Sequence, residues 1–169
     1  DYVTCESWSN LTLNEGFANY SEYLWMEHKY GKDLADHHRM EEMNGYLQSA
    51  YGGMHDLINY KYADREQMFD AHSYNKGGLI LHMLRRYLGD EVFFTSLKNY
   101  LNQHAYTDVE AHELRMAFEE TSGEDLNWFF NQWFLSSGHP NLSINCDYNE
   151  AERKETITVK QIQDLKTKT

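Results

Sequence analysis

Proline is almost missing from this sequence: Pro140 stands alone among 169 residues. Because proline interrupts helices, its absence from the long stretch before that position leaves room for uninterrupted ones. Cysteine is nearly as scarce. Cys5 and Cys146 lie near opposite ends with no CxxC spacing, which excludes a disulfide framework and predicts two free thiols. Positive charge is short as well, with 15 Lys and Arg against 27 Asp and Glu and a formal net charge of -12. Neutralising phosphates needs clustered cations, so nucleic acid is excluded as a partner. No run approaches the roughly 18 apolar residues of a membrane-spanning helix. The amino-terminal DYVTCES has no basic region followed by an apolar core, so these residues point to no compartment.

What is present argues for a folded, mainly α chain. Hydrophobic residues make up 41% of the sequence and aromatic residues 15%, enough to bury a sizeable core at this length. Residues 1–137 read as almost entirely helical. One helix runs from Asn14 to Tyr30, with Phe17, Tyr20, Tyr23 and Leu24 inward and Gly31 as its stop; a second runs from Lys32 to about Ser49. The stretch from His55 to Asp70 reads as short turns and loop. Ser73 is the expected cap of a helix to Leu88, with Leu79, Ile80, Met83, Leu84 and Tyr87 as its buried stripe. Asp90 is the expected cap of the next helix, with Phe93, Phe94, Leu97, Tyr100 and Leu101 inward. Thr107 and Glu110 form a capping-box pattern. A final helix from about Asp125 carries an aromatic face of Phe129, Phe130, Trp133 and Phe134. From residue 138 the period changes to two. Leu142, Ile144 and Cys146, then Ile157 and Val159, alternate with polar residues around the turn Asn149 to Glu155, which predicts a β-hairpin in a second domain, residues 138–169.

The stretch WSNLTLNEGFANYSE, Trp8 to Glu22, carries the first candidate chemistry. Glu15 and Glu22 lie two helical turns apart and so share a stripe, where one carboxylate could coordinate a metal and the other orient a neighbouring ligand. The same spacing also describes two acids on a solvated face. Nine histidines invite a search for metal ligands. His112-Glu113-Leu114-Arg115-Met116 comes near to HExxH, but Met116 stands where the second histidine would be and a thioether is a poor zinc ligand. His112 is therefore expected on the solvent side of its helix. His37 and His38 are adjacent and project about 100° apart. His72 lies two positions before Tyr74.

WSNLTLNEGFANYSEYLW resembles the third-ligand helix of the aminopeptidase N type of zinc metallopeptidases, in the gluzincin clan. In that family an HExxH helix supplies two zinc histidines and the general-base Glu, and a Glu in an NEGF-like segment completes the site; Glu15 matches that Glu. The family spacing puts HExxH just ahead of Asp1, so the chain is expected to begin just past it. His72-Ser73-Tyr74-Asn75-Lys76-Gly77-Gly78 resembles the YxKG segment of the same family, whose tyrosine hydrogen-bonds the oxyanion of peptide hydrolysis; Tyr74 matches it. The NWFFNQWF helix and the Gly-His-Pro boundary follow in the family's order.

The resemblance implies the helical C-terminal part of a thermolysin-like catalytic domain, residues 1–137, followed by the first hairpin of a β-sandwich domain. It implies a zinc-dependent aminopeptidase acting on peptides with a free amino terminus, a ligand that suits an acidic protein. Glu15 is then the third zinc ligand, Tyr74 the oxyanion stabiliser and Glu22 a carboxylate that supports the site by orienting metal-bound histidines. One zinc ion is expected in the complete protein. Tight binding and activity are not expected of residues 1–169 by themselves, because Glu15 is a single ligand. The segment from His55 to Asp70 is expected along the cleft. Two other readings stay open: a helical binding or structural module that kept this fold without the metal, and a leukotriene-hydrolase-like relative. Neither oligomeric state nor residue preference is indicated.

Overall fold

The computed structural model describes residues 2–163, and these part into two compact units between Ser137 and Gly138. The first unit is built from six helices whose apolar faces meet in one core. α1, Thr12–Tyr30, buries Leu13, Gly16, Tyr20 and Tyr23, a spacing of three and four that puts all of them on one side. α2, Lys32–Ala50, has little apolar stripe and buries only Ala35, Tyr46 and Ala50. α3, Gly77–Leu88, and α4, Asp90–Gln103, are joined through Gly89, whose positive φ of 82° ends the first and opens the second. α5, Ala111–Ser122, and α6, Asn127–Trp133, close the core with Leu114, Phe118, Phe129 and Phe130.

Arg85 ties three of these helices together. It forms a two-pronged pair with Asp90, at 2.8 Å on both arms, and reaches Glu27 at the end of α1 at 2.7 Å. Because the guanidinium is buried, loss of either carboxylate would leave a desolvated charge less well paired.

Several expectations are corrected. Ser73 does not cap its helix but lies inside a π-helical turn, His72–Lys76, that precedes α3; Asp70 takes the capping role, accepting from the amides of His72 and Ser73 at 3.0 and 3.1 Å. The buried stripe of α3 is Gly77, Ile80, Leu81 and Leu84, with Leu79 and Met83 half-buried and Tyr87 exposed. The stripe is turned because the glycines at the start of α3 must face α1. Phe94 and Leu101 are also exposed. Asp90 is the first residue of α4 and serves Arg85 instead of a cap. The capping box falls on Glu110 and Glu113, not on Thr107. Helix formation is delayed there because β2, Asp108–Val109, first pairs in parallel with β1, Thr4–Cys5. A two-residue strand pair is too short to leave a period in the sequence.

The second unit is an antiparallel hairpin of β3, Leu142–Asn149, and β4, Lys154–Gln161, with Ile144 opposite Val159 and Cys146 opposite Ile157. Its turn is tighter than expected, residues 150–153, with the Asn149 side chain accepting from the amides of Ala151 and Glu152. Every strand residue is exposed, on both faces. Among the described residues both cysteines are free, and no helix is long and apolar enough to cross a membrane.

Candidate active site

Glycine decides how α1 meets α3. A Cβ on Gly16 would stand 3.1 Å from the Gly77 backbone, and one on Gly77 would stand 3.0 Å from the Gly16 Cα and 2.3 Å from the Thr12 hydroxyl. Gly78 is equally tight, its Cβ falling 2.2 Å from the Asn19 side-chain oxygen. The two helices therefore pack backbone against backbone. The Thr12 hydroxyl cannot move aside freely, because it donates to the Ser73 carbonyl at 3.0 Å inside the core. The glycines of NEGF and KGG are thus the physical reason that the segments before them come together.

What this contact delivers is Tyr74 beside Glu15. Tyr74 lies close enough to Glu15 for the carboxylate to act on its hydroxyl, and both side chains are half-buried. Burial first, and then the Glu15 charge, push the Tyr74 hydroxyl above its ordinary value. The phenol consequently stays protonated and able to donate. Glu22 is not part of this pair. Its side chain is 66% exposed, and its carboxylate lies 3.6 Å from His38 Nε2 on α2.

Two further anchors hold the segment around Tyr74. Glu42 on α2 accepts from the Asn75 amide at 2.8 Å and from the Asn19 amide of α1, so one carboxylate links three elements. On the other side of Tyr74, Asp70 accepts from two backbone amides through one oxygen and from two imidazoles through the other: His55 Nε2 at 2.7 Å and His72 Nδ1 at 3.0 Å. Burial alone would raise the Asp70 carboxyl, but the hydrogen bonds from His55, His72 and the Ser73 amide outweigh it and hold the group well below the usual carboxylate range. Lys76 is buried under the Tyr46 ring, its ammonium 5.6 Å from the ring centre, and desolvation pulls it down to about 8.

The sequence motifs brought out Glu15 and Tyr74 but not Asp70, His55, Glu42 or Asn75. The only signal for the Asp70 group was a histidine at one end of an irregular segment and Asp-Ala-His at the other. His72, two positions before Tyr74, is a buried packing residue that contacts His55, Asp70 and the Tyr46 ring. His112 is solvent-facing as expected, paired with Glu110 and Glu113. Among the described residues Glu15 shares no three-residue cluster of potential metal ligands. Its carboxylate nevertheless suits a divalent cation: an oxygen donor on a rigid helix, half-buried, with a neutral hydroxyl beside it.

The family described as peptidase family M1 domain matches residues 1–133. Aminopeptidase M1-A of Oryza sativa subsp. japonica is 32% identical over 157 residues, covering 91% of this chain and 18% of that protein. Aminopeptidase N of Lactococcus lactis subsp. lactis is 33% identical over 147 residues, covering 83% of this chain and 17% of that protein. The chain thus spans a little under a fifth of the length of these curated relatives. An M1 zinc metallopeptidase from Deinococcus radiodurans superposes with a TM-score of 0.68 at 26% identity, over 83% of this chain and 31% of that one. An aminopeptidase A of Legionella pneumophila superposes with a TM-score of 0.80 over 96% of this chain and 18% of its own, and at 23% identity it speaks for the fold alone.

Proposed function

The chain belongs to the peptidase M1 family, and from that premise we propose that it forms part of the catalytic domain of a zinc-dependent aminopeptidase that removes amino-terminal residues from peptides. The observation that carries this reading is the juxtaposition of Tyr74 and Glu15, two residues from separate motifs brought together by the glycine contact of α1 with α3. Relatives are named as aminopeptidases, and a neighbouring M1 zinc metallopeptidase, at 27% identity, was solved bound to a Tyr-Ser-Ala substrate.

In this reading Glu15 holds the zinc ion together with ligands from the rest of the protein. When bound, zinc supplies Lewis-acid polarisation of the scissile carbonyl and lowers the pKa of water. Tyr74, kept protonated by its surroundings, donates a hydrogen bond to the oxygen on which negative charge develops. Because the phenol is fixed by the packed glycines and by the Glu42–Asn75 bond, little reorganisation is needed as that charge forms. Glu22 stands apart from this pair, on His38, and carries no step of this reading.

The test uses the full-length protein. Tyr74→Phe is expected to lower kcat for an aminoacyl reporter about 100-fold with zinc content unchanged, and Glu15→Gln to lose both zinc and activity. Zinc loss on Tyr74→Phe would make Tyr74 structural. A wild-type protein without zinc and without hydrolysis would favour the non-catalytic helical module.

A further inference from the structure

Asp70, His55 and His72 make up the one three-residue cluster of potential metal ligands among the described residues. Its geometry is wrong for a chelate. The two imidazoles are stacked, with ring centres 4.1 Å apart and planes only 27° from parallel. A metal must lie close to both ring planes, about 2 Å from each nitrogen, and planes so nearly parallel meet much farther out. The arrangement instead suits two N–H donors converging on one carboxylate oxygen.

His55 carries the sharper information. Its Nδ1 is 2.7 Å from the Asp56 carbonyl oxygen and its Nε2 is 2.7 Å from Asp70 Oδ2. A carbonyl only accepts, and so does an ionised carboxylate. Both ring nitrogens must therefore carry hydrogen, which is the imidazolium. His72 differs, donating from Nδ1 while its buried Nε2 meets no hydrogen-bond partner.

We propose that His55 is a charged latch that closes the 55–70 segment onto the turn bearing Tyr74, with Asp70 as the positioning residue through which it acts. Asp70 joins His55 to the amides of His72 and Ser73, and its carbonyl accepts the Tyr74 amide at 3.1 Å. Neutral His55 can keep only one of its two donors, so the latch loses a charged hydrogen bond. The groups facing His55 are Asp70, which holds the proton on most strongly, the Asp56 carbonyl, Lys76, which opposes it, and the stacked His72 with Tyr46 beyond. Asp70 above all, with the Asp56 carbonyl, outweighs burial and Lys76 and raises His55 above its ordinary value. A raised histidine gives a contact that is complete below about pH 6.5 and is lost as pH rises through the folded-state value. The rest of the segment stays anchored by buried Leu57, Ile58 and Met68 and by the Ile58 amide on the Phe134 carbonyl, so release loosens the turn without unfolding the domain.

The latch stands on the geometry; its consequence for turnover rests on the aminopeptidase reading. The experiment is hydrogen exchange by mass spectrometry on the full-length protein between pH 5.5 and 9, corrected for intrinsic rates, reading peptides over residues 52–60 and 70–78 against α4. Wild type should lose protection in those peptides on the order of tenfold as pH rises, the worth of one charged hydrogen bond. His55→Gln, which keeps an amide donor without a titrating proton, should show no such step, and neither should Asp70→Asn, a second variant in case the first does not fold. A wild-type profile without the step, or the same step in both variants, would overturn the latch. The kcat profile is read in parallel. A fall over the same window that His55→Gln abolishes supports Asp70 as the positioning residue; the exchange step with an unchanged kcat profile overturns that role. An exchange step in a protein with no peptidase activity at any pH would keep the latch and count against the proposed function alone.

Discussion

Two structures grip Tyr74, and they work by opposite physics. On one side the α1–α3 contact is close-packed backbone at Gly16, Gly77 and Gly78, with no charge and no slack. On the other, Asp70 gathers four hydrogen bonds from groups that are far apart in character, one of them an imidazolium. The first fixes where the tyrosine is. The second adjusts how firmly the turn around it is held, and it responds to protons. A single side chain can thus be fixed in location and tunable in mobility when its two supports differ in kind.

The most damaging way to break this contrast is Gly77→Ala. Its methyl group would enter space already held by Thr12 and by the Gly16 backbone, and the expected cost is about 3 kcal/mol, read as a lowered midpoint in denaturant with the slope unchanged. The loss should be the same at pH 6 and pH 9. Asp70→Ala comes next, at about 2 kcal/mol, because it removes a cap and strands the two amides and both imidazoles. This loss should shrink at alkaline pH, where the wild type has already given up its charged contact. Equal pH dependence in the two variants would erase the distinction between the supports. Glu22→Gln sharpens the comparison from outside: exposed and 3.6 Å from His38, it should change stability by less than about 0.5 kcal/mol and leave zinc content in place. Loss of zinc on that change would give Glu22 a larger part than its position suggests.

The two residues that the rigid support brings together were legible in the sequence through their motifs, whereas the glycine contact itself and the tunable support were not, for physical reasons. NEGF and YNKGG are local strings in which glycine, a ligand-type carboxylate and a phenol sit at helix starts, and apolar spacing shows which helices carry them. Asp70 was read as the end of a loop, since the partner that completes its set, His55, lies at the far end of an irregular segment with no period to connect them. Ser73 looked like a cap because serine is good at that role, yet an aspartate three residues earlier does it better and buries Ser73 inside the turn. Hydrophobic spacing placed α3 correctly but misjudged its face at Tyr87, where helix packing on glycine overrode side-chain hydrophobicity. In the hairpin the alternation of Leu142, Ile144 and Cys146 was right for the strands, and burial did not follow from it.

The π-helical turn at His72–Lys76 closes with the Lys76 amide on the Ala71 carbonyl, one residue wider than an α-helical bond. One extra residue in a helix advances everything after it by about 100°. The turn therefore acts as a phase shifter between two gears on one shaft. Downstream of it, Ile80, Leu81 and Leu84 mesh with the core; within it, Tyr74 is turned toward Glu15 instead of inward. An unbroken α-helix would force one rotation to serve both tasks. With the shift built in, the packing half of the helix can be optimised for stability while the tyrosine keeps its own bearing.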